Sequence, residues 1–217
     1  MTDKSFSKCT LEFLDTEFNL MQVTTLPLLE EWLNVPSDVS DIEKFALLDL
    51  QESLRFNVHD WNEAELTTNF IGPVFQKLKI FSQKYNFYSI REVEGVTVGN
   101  TGDWRLFGKP DGMIAGGRRS PKKPYFMFNE YKKDTDSEGD PVGQALSAML
   151  VGQVINEKKR PIFGCYVIGQ SWNFIVLQGS EYAISATYSA LRPDIFLIFN
   201  ILKKLKTYIE QFVEEDA

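Results

Sequence analysis

The 217-residue chain reads as an α/β protein: a mixed central sheet flanked by helices, with an N-terminal helical extension. Three observations predict this class. Segments with apolar residues at helical spacing frame a middle region of alternating, β-type segments. Two of the β-type segments are joined by a short connection that suits an antiparallel hairpin, and a helix-length segment then leads to further strands. Hydrophobic residues make up 43% of the chain and include 17 Phe, enough to bury a sizeable core within one domain. The expected division is a helical extension over residues 1–59 and a core with a C-terminal helix over 60–217.

The elements follow in order. Leu26 to Leu33 is a short amphipathic helix with Pro27 in its tolerant first turn. Pro36 ends it by pushing its predecessor out of the helical region. Ser40 and Glu43 have the spacing of a capping box, and Phe45, Leu47, Leu48, Leu50, Leu54 and Phe56 continue a second, longer helix. A third helix is predicted from about Asp60–Asn62 to Lys84, kinked or broken at Pro73. Strands follow at Tyr88–Val98, Trp104–Ala115 and Tyr125–Lys133, punctuated by Asn100-Thr101-Gly102 and Gly116-Gly117. Asp134 to Asp140 is a polar loop. Pro141 opens a helix to about Asn156, Pro161–Ile168 and Trp172–Leu177 are strands, and Pro193–Glu215 is an amphipathic helix.

Composition excludes several function classes. Cys9 and Cys165 are the only cysteines, with neither zinc-ligand spacing nor a disulfide framework, so a reducing cytoplasm is the expected setting. No apolar run is long enough to cross a bilayer, and the first residues lack the pattern of a secretory signal. His59 is the sole histidine, so metal chemistry would run on carboxylates and favour hard cations such as Mg²⁺ or Mn²⁺. The net charge of −7 does not advertise a nucleic-acid binder. Yet Trp104–Arg160 carries eleven Lys/Arg against seven Asp/Glu.

That basic stretch holds the chain's most informative constellation: Pro110-Asp111, then Glu130-Tyr131-Lys132 one hairpin later. Side chains alternate along a strand, so Phe126, Phe128, Glu130 and Lys132 share one face while Met127, Asn129 and Tyr131 share the other. If the two strands pair through the 116–124 connection, Asp111 lies beside Glu130. Two such carboxylates supply oxygen ligands to a hard dication, which lowers the pKa of water and stabilises charge on a phosphoryl oxygen. Lys132 can orient the attacking water, help to deprotonate it, or hold the phosphate. Taken singly, Asp111 could shape a Pro-Asp-Gly turn, and Glu130 with Lys132 could be an exposed strand pair. One-face geometry and the element order together favour the metal site.

Pro110-Asp111 with Glu130-Tyr131-Lys132 resembles the PD-(D/E)xK nuclease superfamily, the restriction-endonuclease-like fold. The element order from about residue 60 to 178 matches that fold's core of helix, three strands, helix and strand. The resemblance implies that Asp111 and Glu130 bind metal and that Lys132 assists the water. Asn62-Glu63-Ala64-Glu65-Leu66 with Phe70-Ile71-Gly72-Pro73 looks like the segment that adds a further acidic residue in nuclease domains of restriction enzymes. Glu63 shares the helical stripe of Leu66, Phe70 and Val74 and is the chosen third metal ligand; Glu65 falls nearly opposite. Both also fit capping boxes, Asp60 with Glu63 and Asn62 with Glu65. Gln144, on the helix after the Glu-x-Lys strand, occupies the place of a family glutamine that contacts a phosphate or a metal-bound water; an ordinary solvated residue is the alternative.

The resemblance thus implies a Mg²⁺- or Mn²⁺-dependent nuclease acting on nucleic acid, DNA first, with no membrane; a homodimer stays open. A catalytically inactive nuclease-like binding or assembly module is the competing reading. Arg118, Arg119, Lys122 and Lys123 in the hairpin connection are candidates for tracking a phosphate backbone or for a solvated loop tip. Asp134, Asp136, Glu138 and Asp140 lack the later glutamate of a calcium loop and read as solvated. His59 reads as structural and Trp172 as core.

Overall fold

The structure is a computed structural model that describes residues 1–134, 139–157 and 160–215. The chain opens with β1 (Thr2–Ser5), a 3₁₀ turn at Phe6–Lys8, α1 (Leu11–Phe18) and β2 (Met21–Gln22). Next come α2 (Pro27–Leu33), with Pro27 in its first turn, and α3 (Asp41–Asn57). The Ser40–Glu43 capping box forms as expected: the Glu43 amide donates to Ser40 Oγ (3.3 Å) and the Ser40 amide to Glu43 Oε2 (2.9 Å). The first 59 residues are therefore helical only in part. They also place two short strands in sheets, which the helical periodicity of α3 gave no reason to expect.

The third expected helix is shorter and more broken than its pattern suggested. It comprises α4 (Glu63–Leu66), a π turn over Thr67–Ile71 and α5 (Gly72–Leu78). Pro73 has no N–H to donate, and the widened turn before it absorbs the lost helical bond. Lys79 adopts a left-handed conformation (φ 53°) and stops the helix, so the expected end at Lys84 is corrected to Leu78. The chain then enters β3 (Tyr85–Ser89).

The expected strands Tyr88–Val98 and Trp104–Ala115 are each split between two sheets. Ile90, with φ 51°, separates β3 from β4 (Val93–Gly99). Lys109-Pro110 separates β5 (Gly102–Gly108) from β6 (Gly112–Gly116). A three-stranded sheet has the order β1-β5-β4. The main sheet gains β7 (Lys122–Lys132), β8 (Ile162–Ile168), β9 (Ser171–Gln178), β10 (Glu181–Ile184) and β11 (Tyr188–Ser189). Its order is β2-β10-β9-β8-β7-β6-β3, with β11 pairing β9. β6 and β7 form the expected antiparallel hairpin, and α6 (Pro141–Ile155) crosses from β7 to the parallel β8. The sheet is thus mixed and flanked by helices.

Two cores lie on opposite faces of the main sheet. α2, α3, α5 and α7 (Asp194–Glu215) cover one face, with Trp32, Leu54, Phe70, Phe163 and Ile201 inside. α6 covers the other, and the small sheet closes over it through Leu106, Leu146, Met149 and Ile175. α6 is buried from Gly143 to Gln153 because it is sandwiched between the two sheets. The expected face of β7 needs one correction. Phe128 lies on the α6 side, but Phe126 packs with Met127 and Tyr131 on the other. The register shifts between Ile114 and Ala115, and this bulge adds a residue to β7 there. Beyond it the alternation holds through Glu130 and Lys132.

Candidate active site

Residues from three elements meet at the C-terminal end of β7. Gly112 pairs with Asn129 across the hairpin, which places Asp111 just beyond the paired residues, next to Glu130. Asp111 Oδ2 accepts a hydrogen bond from the Tyr131 amide at 2.7 Å. Its carboxylate is thereby fixed against the strand that bears Glu130 and Lys132. Lys132 Nζ donates to Glu130 Oε1 at 2.9 Å and lies 3.3 Å from Glu63 Oε1. The Lys132 and Glu130 side chains are 15% and 10% exposed, whereas Glu63 is 46% exposed and sits at the mouth. The sequence-predicted Asp111, Glu130, Lys132 and Glu63 are thus brought together.

The two candidate glutamates take different partners. Glu65 closes a capping box, accepting from the Asn62 amide at 2.9 Å while its own amide donates to Asn62 Oδ1 at 3.0 Å. Glu63 turns instead to Lys132. Thr67 Oγ1 donates to the Glu63 carbonyl at 2.8 Å, tying the start of the π turn to the residue that carries the carboxylate.

The electrostatics follow from burial and crowding. Burial pushes the Asp111 carboxyl up; the Tyr131 amide and Lys132 oppose this, and Glu63 adds to it. Glu130 is pushed up to about 7, first by burial and then by the charge of Asp111, against the pull of Lys132. Burial works against the Lys132 ammonium, but Glu130, Glu63 and Asp111 together raise its pKa. Ionising all three carboxylates against the one ammonium would leave a local charge of −2, the crowding that raises Asp111 and Glu130. One dication would neutralise that charge, and an all-oxygen donor set suits a hard cation. Among the described residues, no group of three or more His, Cys, Asp or Glu side chains is placed to hold a metal ion. Asp111 and Glu130 offer the oxygen donors such an ion would use, with the Lys132 ammonium bonded to Glu130 and 3.3 Å from Glu63.

Gln144 is buried rather than solvated. Together with Glu130 it lines a cavity of about 100 Å³, whose other walls include Ser5, Ser7, Gly108 and Lys109. Sequence reasoning missed these four. Lys109 could have been found from its position directly before Pro110-Asp111. Ser5 and Ser7 carried no signal, because they reach the site only through the parallel pairing of β1 with β5.

Other expectations divide. Arg118, Arg119, Lys122 and Lys123 do not surround the site: Lys122 begins β7 and Glu130 lies near its other end, about 26 Å away at strand rise. Lys123 pairs with Glu157 at 3.0 Å. Asp134 and Asp140 are not merely solvated. Asp134 bonds His59 Nδ1 at 2.8 Å, and Asp140 caps α6 through the Gly143 amide (2.9 Å) while accepting from the Leu11 amide (2.8 Å). Asp136 and Glu138 lie outside the described residues. Trp172 is core, and Cys9 and Cys165 are buried free thiols. Among the described residues no helix is long and apolar enough to cross a membrane.

No protein-family profile matches the chain, and no curated protein matches it.

Proposed function

We propose that this protein is a divalent-metal-dependent nuclease with a restriction-endonuclease-like core, hydrolysing phosphodiester bonds in DNA. The observation that carries the reading is the convergence of Asp111, Glu130 and Glu63 on the ammonium of Lys132. Asp111 and Glu130, with Glu63 at the mouth, would hold Mg²⁺ or Mn²⁺. When bound, the ion supplies Lewis acidity at the phosphoryl oxygen and a lowered pKa for water.

The chain's own residues do the rest. The Tyr131 amide fixes the carboxylate of Asp111, so this ligand needs no reorganisation on binding. Lys132 is anchored between Glu130 and Glu63, where its ammonium can orient a water and offset negative charge on a reacting phosphate. Gln144 lines the cavity beside Glu130, and an amide there would suit a phosphate oxygen. The two thiols suit a reducing cytoplasm.

Cleavage of single- and double-stranded DNA and RNA with Mg²⁺ or Mn²⁺ tests the proposal, alongside Asp111→Ala and Lys132→Ala. Each substitution should cost about 10²- to 10⁴-fold in rate; activity that survives both rejects the assigned site. One observation favours the inactive binding module: Lys132 already gives Glu130 and Glu63 a partner. Manganese titration separates the two, since the inactive module would bind none at this cluster.

A further inference from the structure

We infer that the cavity beside Glu130 is a subsite for one backbone phosphate of the strand, next to the phosphate being cleaved, and that the N-terminal segment builds it. The inference rests on the nuclease reading and adds the group that this pocket takes.

β1 lies parallel to β5 with Ser5 opposite Phe107. This register carries Ser5 and the following turn past Gly108-Lys109, immediately ahead of Pro110-Asp111. The approach is close. A Cβ on Gly108 would stand 2.6 Å from the Phe6 ring, so glycine is what lets Phe6 seat there, buried, and lock the segment. Ser5 Oγ and Ser7 Oγ lie 2.9 Å apart, and both residues line the cavity. Among the described residues Lys109 has no carboxylate partner. The lining therefore offers an unpaired ammonium, two hydroxyls and the Gln144 amide, donors that suit a tetrahedral oxyanion.

Size narrows the ligand further. The cavity, about 100 Å³, has room for one phosphate. Phe6, the aromatic ring of the lining, is packed on Gly108 and has no free face for stacking. The subsite therefore holds the strand by its backbone. Glu130 forms the wall towards the cleavage site; Lys132 offsets its charge.

The test is fluorescence anisotropy of a single-stranded oligonucleotide, with Ca²⁺ in place of Mg²⁺ so that the strand is not consumed. A single uncharged methylphosphonate is moved along it one linkage at a time. With the native protein, the linkage adjacent to the cleaved one should weaken binding about tenfold, the loss of one charge-assisted contact. In Ser5→Ala/Ser7→Ala/Lys109→Ala that linkage should matter less than twofold, while the response at the cleaved linkage persists. Should the triple variant misfold, Lys109→Ala alone, at an exposed position, should still flatten the adjacent response at least threefold. A variant profile identical to the native one overturns the subsite and leaves the nuclease reading standing. Failure of the native protein to bind this strand overturns the subsite, and failure to bind double-stranded DNA as well overturns the nuclease reading too.

Discussion

Lys132→Met should destabilise the chain most where its carboxylates are ionised, and Mn²⁺ should reverse the loss. The substitution keeps the stem's volume and removes the ammonium. Lys132 and Glu130 are 15% and 10% exposed and bonded at 2.9 Å, so the pair is a buried one. Removing one partner of such a pair costs about 3–5 kcal/mol when the other remains charged. Glu130 can escape part of that cost by taking a proton, and its pKa already stands at about 7. A raised carboxyl pKa contributes stability that is fully present below the unfolded value and lost as pH rises through the folded value. Without Lys132 the folded value climbs further. The loss should therefore be about 3 kcal/mol at pH 8 and about 1 kcal/mol at pH 5. For a chain of this size that is a Tm drop of about 6–12 °C at pH 8 and a few degrees at pH 5. Thermal unfolding in EDTA at the two pH values measures it. Mn²⁺ at a hundred times its Kd should return about 2.7 kcal/mol at pH 8, because the ion takes over as countercharge. Equal losses at both pH values, or no rescue by Mn²⁺, would refute the reasoning.

Two further outcomes probe the frame that holds the site. Glu17 Oε1 accepts from the Thr101 amide (2.6 Å), Thr101 Oγ1 (2.7 Å) and Trp104 Nε1 (2.8 Å), and these bonds, the Thr101 amide first, hold its pKa below the usual carboxylate value. Its contribution is present above the unfolded pKa of about 4.3 and lost as pH falls through the lowered folded value; Glu17→Gln should lower Tm at pH 7 and flatten its fall between pH 5 and 3, and an unchanged acid limb would contradict the assignment. Gly152 lets α6 meet β7: a Cβ there would stand 2.4 Å from the Phe128 ring, two residues before Glu130. Gly152→Ala should cost about 1–3 kcal/mol in urea unfolding despite alanine's better helix propensity, and a neutral or stabilising result would show that the contact relaxes freely.

The cluster was legible because Asp111, Glu130 and Lys132 are local in sequence and Glu63 sits on a regular helical turn. Alternation fixed Glu130 and Lys132 on one face. A hairpin of the observed kind brought Asp111 to them. Helical phase separated Glu63 from Glu65, and the structure keeps that division even though a π turn follows. What escaped detection depended on long-range pairing or on single backbone conformations. Strands β1 and β2 are four and two residues long, too short for any periodicity, and exist only because β5 and β10 accept them. The split of the expected strands turns on Ile90 with positive φ and on Lys109-Pro110. Neither shows in an apolar pattern that runs on through both breaks. The charge count was misleading in one respect: residues near Glu130 in sequence include the hairpin cations, which extended strand geometry carries to the opposite end of β7.

Anomalous diffraction from crystals soaked in saturating Mn²⁺ tests the central claim most directly. The expected result is a single peak between the carboxylates of Asp111 and Glu130, absent from Glu130→Gln crystals treated alike. A native cluster with no manganese density, Lys132 still bridging Glu130 and Glu63, would contradict the account.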